Sequence, residues 1–514
     1  MTKEEQGRRR PSKVVSVRDV EAAARNGRTL VIAPGTLITP AAQERARDLQ
    51  VAIRPEREPA RSLALPAPTA GSDPAQSLAA LALAVADAPE DVFEAAKRLL
   101  LDSISVAYAG LPAFGGMIEG LAARRHGERG HVIGVRRKLP VAESALVNAT
   151  LIHALGYDAW SPIGQVHPLP GVVASALALA DELRLRSGRA LLTAIAAGVE
   201  IACRVAAGNP GSSPFSRTGA AAAFGGVAAA GVLLELDREV LANAFGLVSR
   251  LALLPLDDEN NELLVGFGAQ AAVVAVRLAA GGAPGPRQAL GGDRGFLRLF
   301  SGKSASLARM MDGMGVRWLT SEVAVRPFPA DERTFGAIEA ALRLQTDNRV
   351  DPEEIRQVVV ETSGAIAAEF GALPDTSAPL ADLRRSLPLL VSQALRTGQL
   401  GLNAELGAPE TRSLATRIEV VAAQAGPPLG FTPVRLLVEM ADGALHEIQV
   451  DEPPGGPGGG LERDRMLVKL SDCWRAGGQP AYRRPVRLLE AVEQLDRAQS
   501  LSAFWSAVSP QAGF

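Results

Sequence analysis

Cysteine is scarce. The chain has 514 residues and two cysteines, Cys203 and Cys473, too far apart to form a metal-binding or redox motif. Histidine is scarce too, with five in all, and none stand at the spacing of a zinc-binding helix such as H-E-x-x-H. No metal is therefore expected. Neither sign of charge dominates: 54 Lys and Arg against 56 Asp and Glu give a net charge of -2. The two signs are interspersed, which argues against a basic surface and against nucleic acid as a partner. The N-terminus, MTKEEQGRRR, lacks the apolar core of a signal peptide. Long runs of large apolar residues are missing as well. The most apolar windows, such as 219–234, are rich in alanine and glycine and end in a charge at Glu235. That is the composition of a buried core helix rather than a membrane span. Gly225, Gly226 and Gly231 lie inside this helical pattern and not after a strand, so no nucleotide fingerprint is supported. A cytoplasmic protein without membrane contact is expected.

What is present is enough chain for two or three domains. Residues 1–12 are charged and expected to be disordered. Residues 1–60 read as a small α/β module. Ser16 and Asp19 suit the start of a helix closed by Gly27, 29–33 and 51–54 suit strands, and Thr39-Pro40 opens a second helix. A linker rich in Pro, Ala, Gly and Ser follows over 61–75. Residues 76–315 read as helix after helix, at 91–108, 142–155, 171–184, 190–206, 219–234, 239–253 and 268–280. One strand is expected among them, at 131–137. From 316 to 452 the pattern becomes α/β. Strands are expected at 318–325, 355–362 and 418–422, helices at 335–345 and 383–396, and a hairpin around Asp442-Gly443. After the Gly/Pro stretch 453–460, residues 461–514 return to helices, with an amphipathic one over 491–504. The fold class is mainly α: a large all-helical domain, a smaller α/β domain and the short N-terminal α/β module.

The chemistry-bearing stretch is 153–181, HALGYDAWSPIGQVHPLPGVVASALALAD. Two histidines flank an irregular segment holding Asp158 and Trp160. His167 precedes Pro168 and Pro170, which fit the first turn of a helix, so it belongs where a loop meets a helix start. A histidine held there suits a general acid or base, and equally suits packing or capping. Asp158 serves either as its orienter or as a cap.

Five segments, in this order and spacing, resemble the MmgE/PrpD family. They are LLLDSISVAYAG (99–110), ALVNATLIH (145–153), residues 167–181, RTGAAAAFGGVAAAGVLLELD (217–237) and the hairpin around Asp442-Gly443. The resemblance covers roughly 76–510 and leaves the N-terminal module outside. The family includes 2-methylcitrate dehydratase, cis-aconitate decarboxylase and an iminodisuccinate epimerase. It implies a helical domain with an α/β lid at 316–452, a homodimer, no metal or organic cofactor, and a small carboxylate substrate. Of the family's H-x-x-D-[FY]-D-D-T and H-P motifs, His153, Asp158, His167 and Pro168 are kept. Gly156, Ala159 and Trp160 stand at the first acidic, third acidic and threonine positions. K-R-L-H-P-G becomes the segment from Asn261 to Gly266, with Glu262 where a cation is expected. K-P-Y-P becomes Arg326-Pro327-Phe328-Pro329, and Val232 replaces a lysine. The expectation is a cofactor-independent lyase or isomerase of dehydratase, decarboxylase or epimerase type. His167, Asp158 and His153 would be its catalytic groups. Arg217 and Arg326 would be its carboxylate anchors, with Trp160 lining the pocket or plugging it. The alternative is a degenerate member, a scaffold or regulatory partner, whose N-terminal module serves as a docking tag.

Overall fold

The structure is a computed structural model describing residues 14–25, 29–32, 36–49, 51–55, 73–122, 129–256, 261–348, 350–424, 433–456, 460–479 and 484–509. The expected disorder of 1–12, the helix-closing Gly27 and nearly all of the linker lie outside these residues. The chain divides into two compact units, Met1–Ser62 and Leu63–Phe514.

In the first unit, strand β1 (Val14–Val15) is followed by helix α1 (Val17–Arg25), β2 (Thr29–Ile32), β3 (Leu37–Ile38), α2 (Pro40–Asp48) and β4 (Ala52–Pro55). β1 pairs with β3 and β2 with β4, both in parallel. β1 and β3, two residues each, are too short to show a periodicity and were not anticipated. The Asp19 carboxylate accepts the Ser16 N–H at 2.8 Å and its hydroxyl at 2.7 Å, which closes the start of α1. Thr39 caps α2, its Oγ1 accepting the Ala42 N–H at 3.2 Å, with Pro40 at the first helical position.

Among the described residues, the second unit opens with eight α-helices: α3 (Pro74–Ala84), α4 (Glu90–Ala122), α5 (Val141–His153), α6 (Leu169–Glu182), α7 (Gly188–Ala207), α8 (Arg217–Leu233), α9 (Arg238–Val248) and α10 (Asn261–Ala280). α8 lies among α6, α7 and α10. Its alanines and glycines offer little apolar area per residue, but they let backbones approach closely, so dispersion contacts are dense. A Cβ on Gly171 of α6 would fall 2.3 Å from the Ala222 carbonyl oxygen, and Gly198 of α7 faces Gly225 of α8 in the same manner. Among the described residues, three helices are long and apolar enough to cross a membrane by length and composition: Glu90–Leu121, Gly188–Ala207 and Glu262–Ala280. The apolar window in Gly188–Ala207 is 94% buried inside the protein, as a core helix is.

Two short helices, α11 (Phe296–Ser301) and α12 (Leu307–Met311), lead to the α/β part. It contains α13 (Phe335–Asn348), β5 (Ile355–Ser363), α14 (Gly364–Phe370), α15 (Leu380–Leu383), α16 (Leu387–Thr397), α17 (Pro409–Ala415), β6 (Ile418–Gln424), β7 (Val434–Met440) and β8 (Leu445–Val450). The strands form one sheet in the order β6-β5-β7-β8, parallel between β5 and β6 and antiparallel elsewhere. Val358, Val360, Leu436 and Val438 point from the sheet into a core shared with Leu344 of α13 and Val391 of α16. The hairpin forms at Asp442-Gly443, where Gly443 takes φ +87°, a conformation glycine adopts without penalty. The chain ends in α18 (Arg463–Ala476), α19 (Arg484–Glu493) and α20 (Ser502–Val508), and α18 packs along α4.

Three expected elements form differently, in each case because contacts with a helix outside the segment take up groups within it. Residues 131–137 form no strand; only Gly130 and Leu139 make an isolated bridge. Asn148 of α5 accepts the Ile133 N–H at 2.9 Å and donates to the His131 carbonyl at 2.7 Å, and Ser144 donates there too. Residues 318–325 fold onto α7 as a 3-10 turn, Leu319–Glu322. Its Thr320 N–H donates to Glu200 at 3.0 Å and its hydroxyl to the Ala196 carbonyl at 3.1 Å. The expected helix over 491–504 is broken between α19 and α20 by a 3-10 turn, Leu495–Arg497. There Asp496 pairs with Lys97 of α4 at 2.8 Å and the Ala498 carbonyl accepts the Gly188 N–H at 3.1 Å.

Candidate functional site

His153 is the last residue of α5, and His167 stands two residues before the start of α6. The connection between them turns back at once, with Gly156 at φ +56° and its N–H on the His153 carbonyl at 2.9 Å. That turn delivers Asp158 to both imidazoles. Asp158 Oδ1 lies 3.1 Å from His153 Nδ1 and 3.1 Å from His167 Nδ1. The Asp158 carbonyl oxygen is a further acceptor, 3.2 Å from His167 Nδ1. An ionised carboxylate only accepts, so both rings carry their proton on Nδ1 when neutral and leave the Nε2 lone pair free. The rings meet edge to face, 4.8 Å between centroids. The carboxylate is wholly buried, while the imidazoles keep 15% and 17% of their side-chain surface exposed. The anion is thus shielded from water and its two partners are within reach of it.

Burial alone would raise the pKa of Asp158. The charges and hydrogen bonds of His167 and His153 overcome that and hold it well below the usual carboxylate range. Burial likewise works against a charged His153, but Asp158 outweighs it and the net direction is upward. Glu262 adds to that rise and Arg326 opposes it. The C-terminal end of α5, where His153 sits, also favours a cation.

Further contacts hold the segment 156–160. The Arg326 guanidinium donates to the Gly156 carbonyl. Lys469 of α18 donates to the Tyr157 carbonyl at 2.9 Å. Asp102 of α4 accepts the Ala159 N–H at 2.9 Å. Trp160 and Ala324 exchange backbone hydrogen bonds, both at 2.8 Å. The Tyr157 hydroxyl reaches the Pro327 carbonyl at 2.9 Å, so residues 324–327, which lead into the α/β part, are fastened to the loop at several points.

Residues 77–307 match the MmgE/PrpD N-terminal domain and residues 328–492 match the MmgE/PrpD C-terminal domain. The chain belongs to the MmgE/PrpD family. A cis-aconitate decarboxylase from Aspergillus terreus (strain NIH 2624 / FGSC A1156) is 25% identical over 455 residues, 82% of this chain and 92% of the relative. The cis-aconitate decarboxylase-like protein oryM of Aspergillus oryzae (strain ATCC 42149 / RIB 40) is 27% identical over 319 residues, 56% of this chain and 66% of the relative.

Within this MmgE/PrpD frame, His153, Asp158 and His167 come together in one cluster. Arg326 does lie against the loop, but both its terminal nitrogens are engaged: one by Glu332 at 2.8 Å and the Ala330 carbonyl, the other by the Gly156 carbonyl. Its Nε is the donor without a partner among the described residues. Arg217 opens α8 and makes a long 3.4 Å contact with the Gly164 carbonyl. Next to it, the Thr218 hydroxyl accepts the His167 N–H at 3.4 Å. The Trp160 side chain is buried, and its backbone, not its ring, makes the bridge to Ala324. Among the described residues, the same trio is also the group able to offer a metal two ring nitrogens and a carboxylate oxygen, all within 4.8 Å of one another.

Asp102 and Lys469 were not singled out from the sequence. The signal for Asp102 was a lone acid inside the apolar run LLLDSISV. Lys469 offered a weaker one, a lysine between Val468 and Leu470 on an amphipathic helix.

Proposed function

We propose that this protein is a lyase- or isomerase-type enzyme of the MmgE/PrpD family acting on a small carboxylate, with His167 as general acid/base. The observation that carries the reading is the one buried carboxylate accepting from Nδ1 of both imidazoles. Asp158 fixes tautomer and ring direction, so each Nε2 is available to take or return a proton. His153, whose charged form is favoured, supplies the proton, while His167 removes one through its free Nε2 from the carbon next to a carboxylate. An acid and a base set side by side on one carboxylate serve elimination, decarboxylation or epimerisation.

The substrate carries less negative charge than a tricarboxylate. Arg326 already answers to Glu332, Glu262 acts on His153 with the same sign as a substrate carboxylate would, and Asn261 and Val232 stand where the family has lysines. Each missing charged hydrogen bond removes roughly 1.5–3 kcal/mol of binding. A mono- or dicarboxylate fits these terms better.

The test is a screen of purified protein against small hydroxy and unsaturated carboxylates, following loss of water, release of CO2 and exchange of the α-proton. Turnover is expected, and His167→Ala should lower kcat by about 10²–10⁴. Neither turnover nor binding with any of them would remove the catalytic reading. The pairing of Arg326 with Glu332, together with the buried Trp160, would then favour the second reading: a non-catalytic member acting as a scaffold or regulatory partner.

A further inference from the structure

Behind the imidazole pair stands a second buried ion pair. Lys469 is 3% exposed and Asp102 is fully buried. Their charged atoms are 2.6 Å apart. The ammonium lies within 2.9 Å of two further oxygens, the carbonyls of Tyr157 and Arg326, and sits 3.9 Å above the centre of the Tyr157 ring. The other carboxylate oxygen, Asp102 Oδ2, accepts the Ala159 N–H.

The pattern of these contacts is more specific than charge neutralisation requires. Lys469 holds the peptide carbonyl preceding Asp158, and Asp102 holds the peptide N–H following it. The two peptide planes that meet at the Asp158 Cα are therefore both fixed, by groups from α18 and α4, which are far apart in sequence. Fixing those planes fixes the direction in which the Asp158 side chain leaves the backbone. A third contact extends the same control to Arg326, whose guanidinium closes on Gly156. Removing an ammonium and a carboxylate from water is expensive, and apolar residues of similar volume often serve stability as well or better. A charged pair at this place is thus better explained by what it orients than by what it adds to folding.

We propose that Lys469 is a positioning residue which, with Asp102, holds the peptide groups on both sides of Asp158 and keeps its carboxylate aimed at His153 and His167. Lys469 touches neither imidazole and acts through Asp158. The proposal deepens the reading of the imidazole pair as the acid and base, but its consequence is visible without a substrate. While Asp158 is aimed, both neutral rings are held in the Nδ1–H tautomer. Released from it, a ring returns to a mixture of tautomers.

The experiment is nitrogen NMR of the full chain labelled at histidine, at a pH where the rings are neutral. The chain has five histidines, so single substitutions assign every signal. Four proteins are compared: wild type, Lys469→Met, Asp102→Asn and Leu470→Ala. Leu470 is buried on the same helix and makes none of the polar contacts described. Wild type should show His153 and His167 as Nδ1–H. Lys469→Met should move at least one of them toward Nε2–H, with Asp102→Asn moving the same signals. Leu470→Ala should lower the melting temperature while leaving both tautomers in place. Unchanged tautomers in folded Lys469→Met would overturn the proposal, as would unchanged tautomers in Asp102→Asn if the lysine variant does not fold. So would an equal change in Leu470→Ala, since loss of packing would then be the cause. A failed substrate screen does not alter any of these outcomes.

Discussion

Two histidines of this chain are driven in opposite directions by their surroundings. His153 is drawn toward its charged form by Asp158. His131 is pushed the other way, to about 4, chiefly by burial, with Asp181 and Lys138 acting on it in opposite senses. Its ring lies against Trp505 at 4.8 Å, and its Nε2 is buried without a partner among the described residues. In the unfolded chain the same group titrates near 6.5. Between those values the unfolded state binds the extra proton, so stability falls as pH drops from 6.5 toward 4. At roughly 1.4 kcal/mol per pH unit the loss approaches about 3 kcal/mol. Urea unfolding at neutral pH and near pH 4.5 should show His131→Gln losing less stability on acidification than wild type, by about 2 kcal/mol. Equal losses would mean that His131 carries none of the acid sensitivity. Neither direction was legible in the sequence, because both depend on what folds against the ring. The trio itself was legible, since His153, Asp158 and His167 fall within one short stretch that a turn can close. Lys469 was not, because its role exists only once α18 has returned to lie along α4.

At the scale of elements, the helices follow from alanine-rich apolar patterns with clear starts, and the structure moves most of their ends by only one to four residues. What the pattern could not show was which glycines are helix-weakening and which are required by a neighbour. Gly171 of α6 faces the backbone of Ala222 of α8, where an added Cβ would sit 2.3 Å from the carbonyl oxygen. Gly120, near the end of α4, would meet nothing within 4 Å. The same substitution should therefore have opposite signs at the two positions. Gly171→Ala overpacks a rigid backbone contact and should cost about 1–3 kcal/mol. Gly120→Ala only removes unfolded-state freedom and should stabilise by about 0.5–1 kcal/mol. Denaturant midpoints of the two variants decide the matter, and a neutral Gly171→Ala would show that α6 and α8 can move apart at little cost. The misread segments have a related cause. Strand-like runs at 131–137 and 318–325 were claimed by Asn148, Ser144 and Glu200, side chains that no local window includes.

For the molecule as a whole, the two units differ greatly in the core that each can build. Met1–Ser62 buries Val15, Val20, Ala23, Ala42, Ala46 and Val51 as its core cluster, six small side chains for a segment near the lower size limit of an independent fold. Leu63–Phe514 buries aromatic and large aliphatic side chains throughout, among them Trp474, Tyr108 and Phe224. Chains built from units of such unequal cores do not unfold in one step. Calorimetry of the full chain should give a small transition at low temperature and a large one well above it. Deleting residues 1–62 should abolish the first and leave the midpoint of the second in place, because the Asp158 cluster, the four-stranded sheet and helices α3 to α20 lie within 63–514. If the small unit is a docking tag, the deletion should also remove a binding partner captured by the full chain while sparing any turnover found in the substrate screen. A single transition in the full chain, shifted down by the deletion, would instead mean that the larger unit depends on the smaller one for its stability.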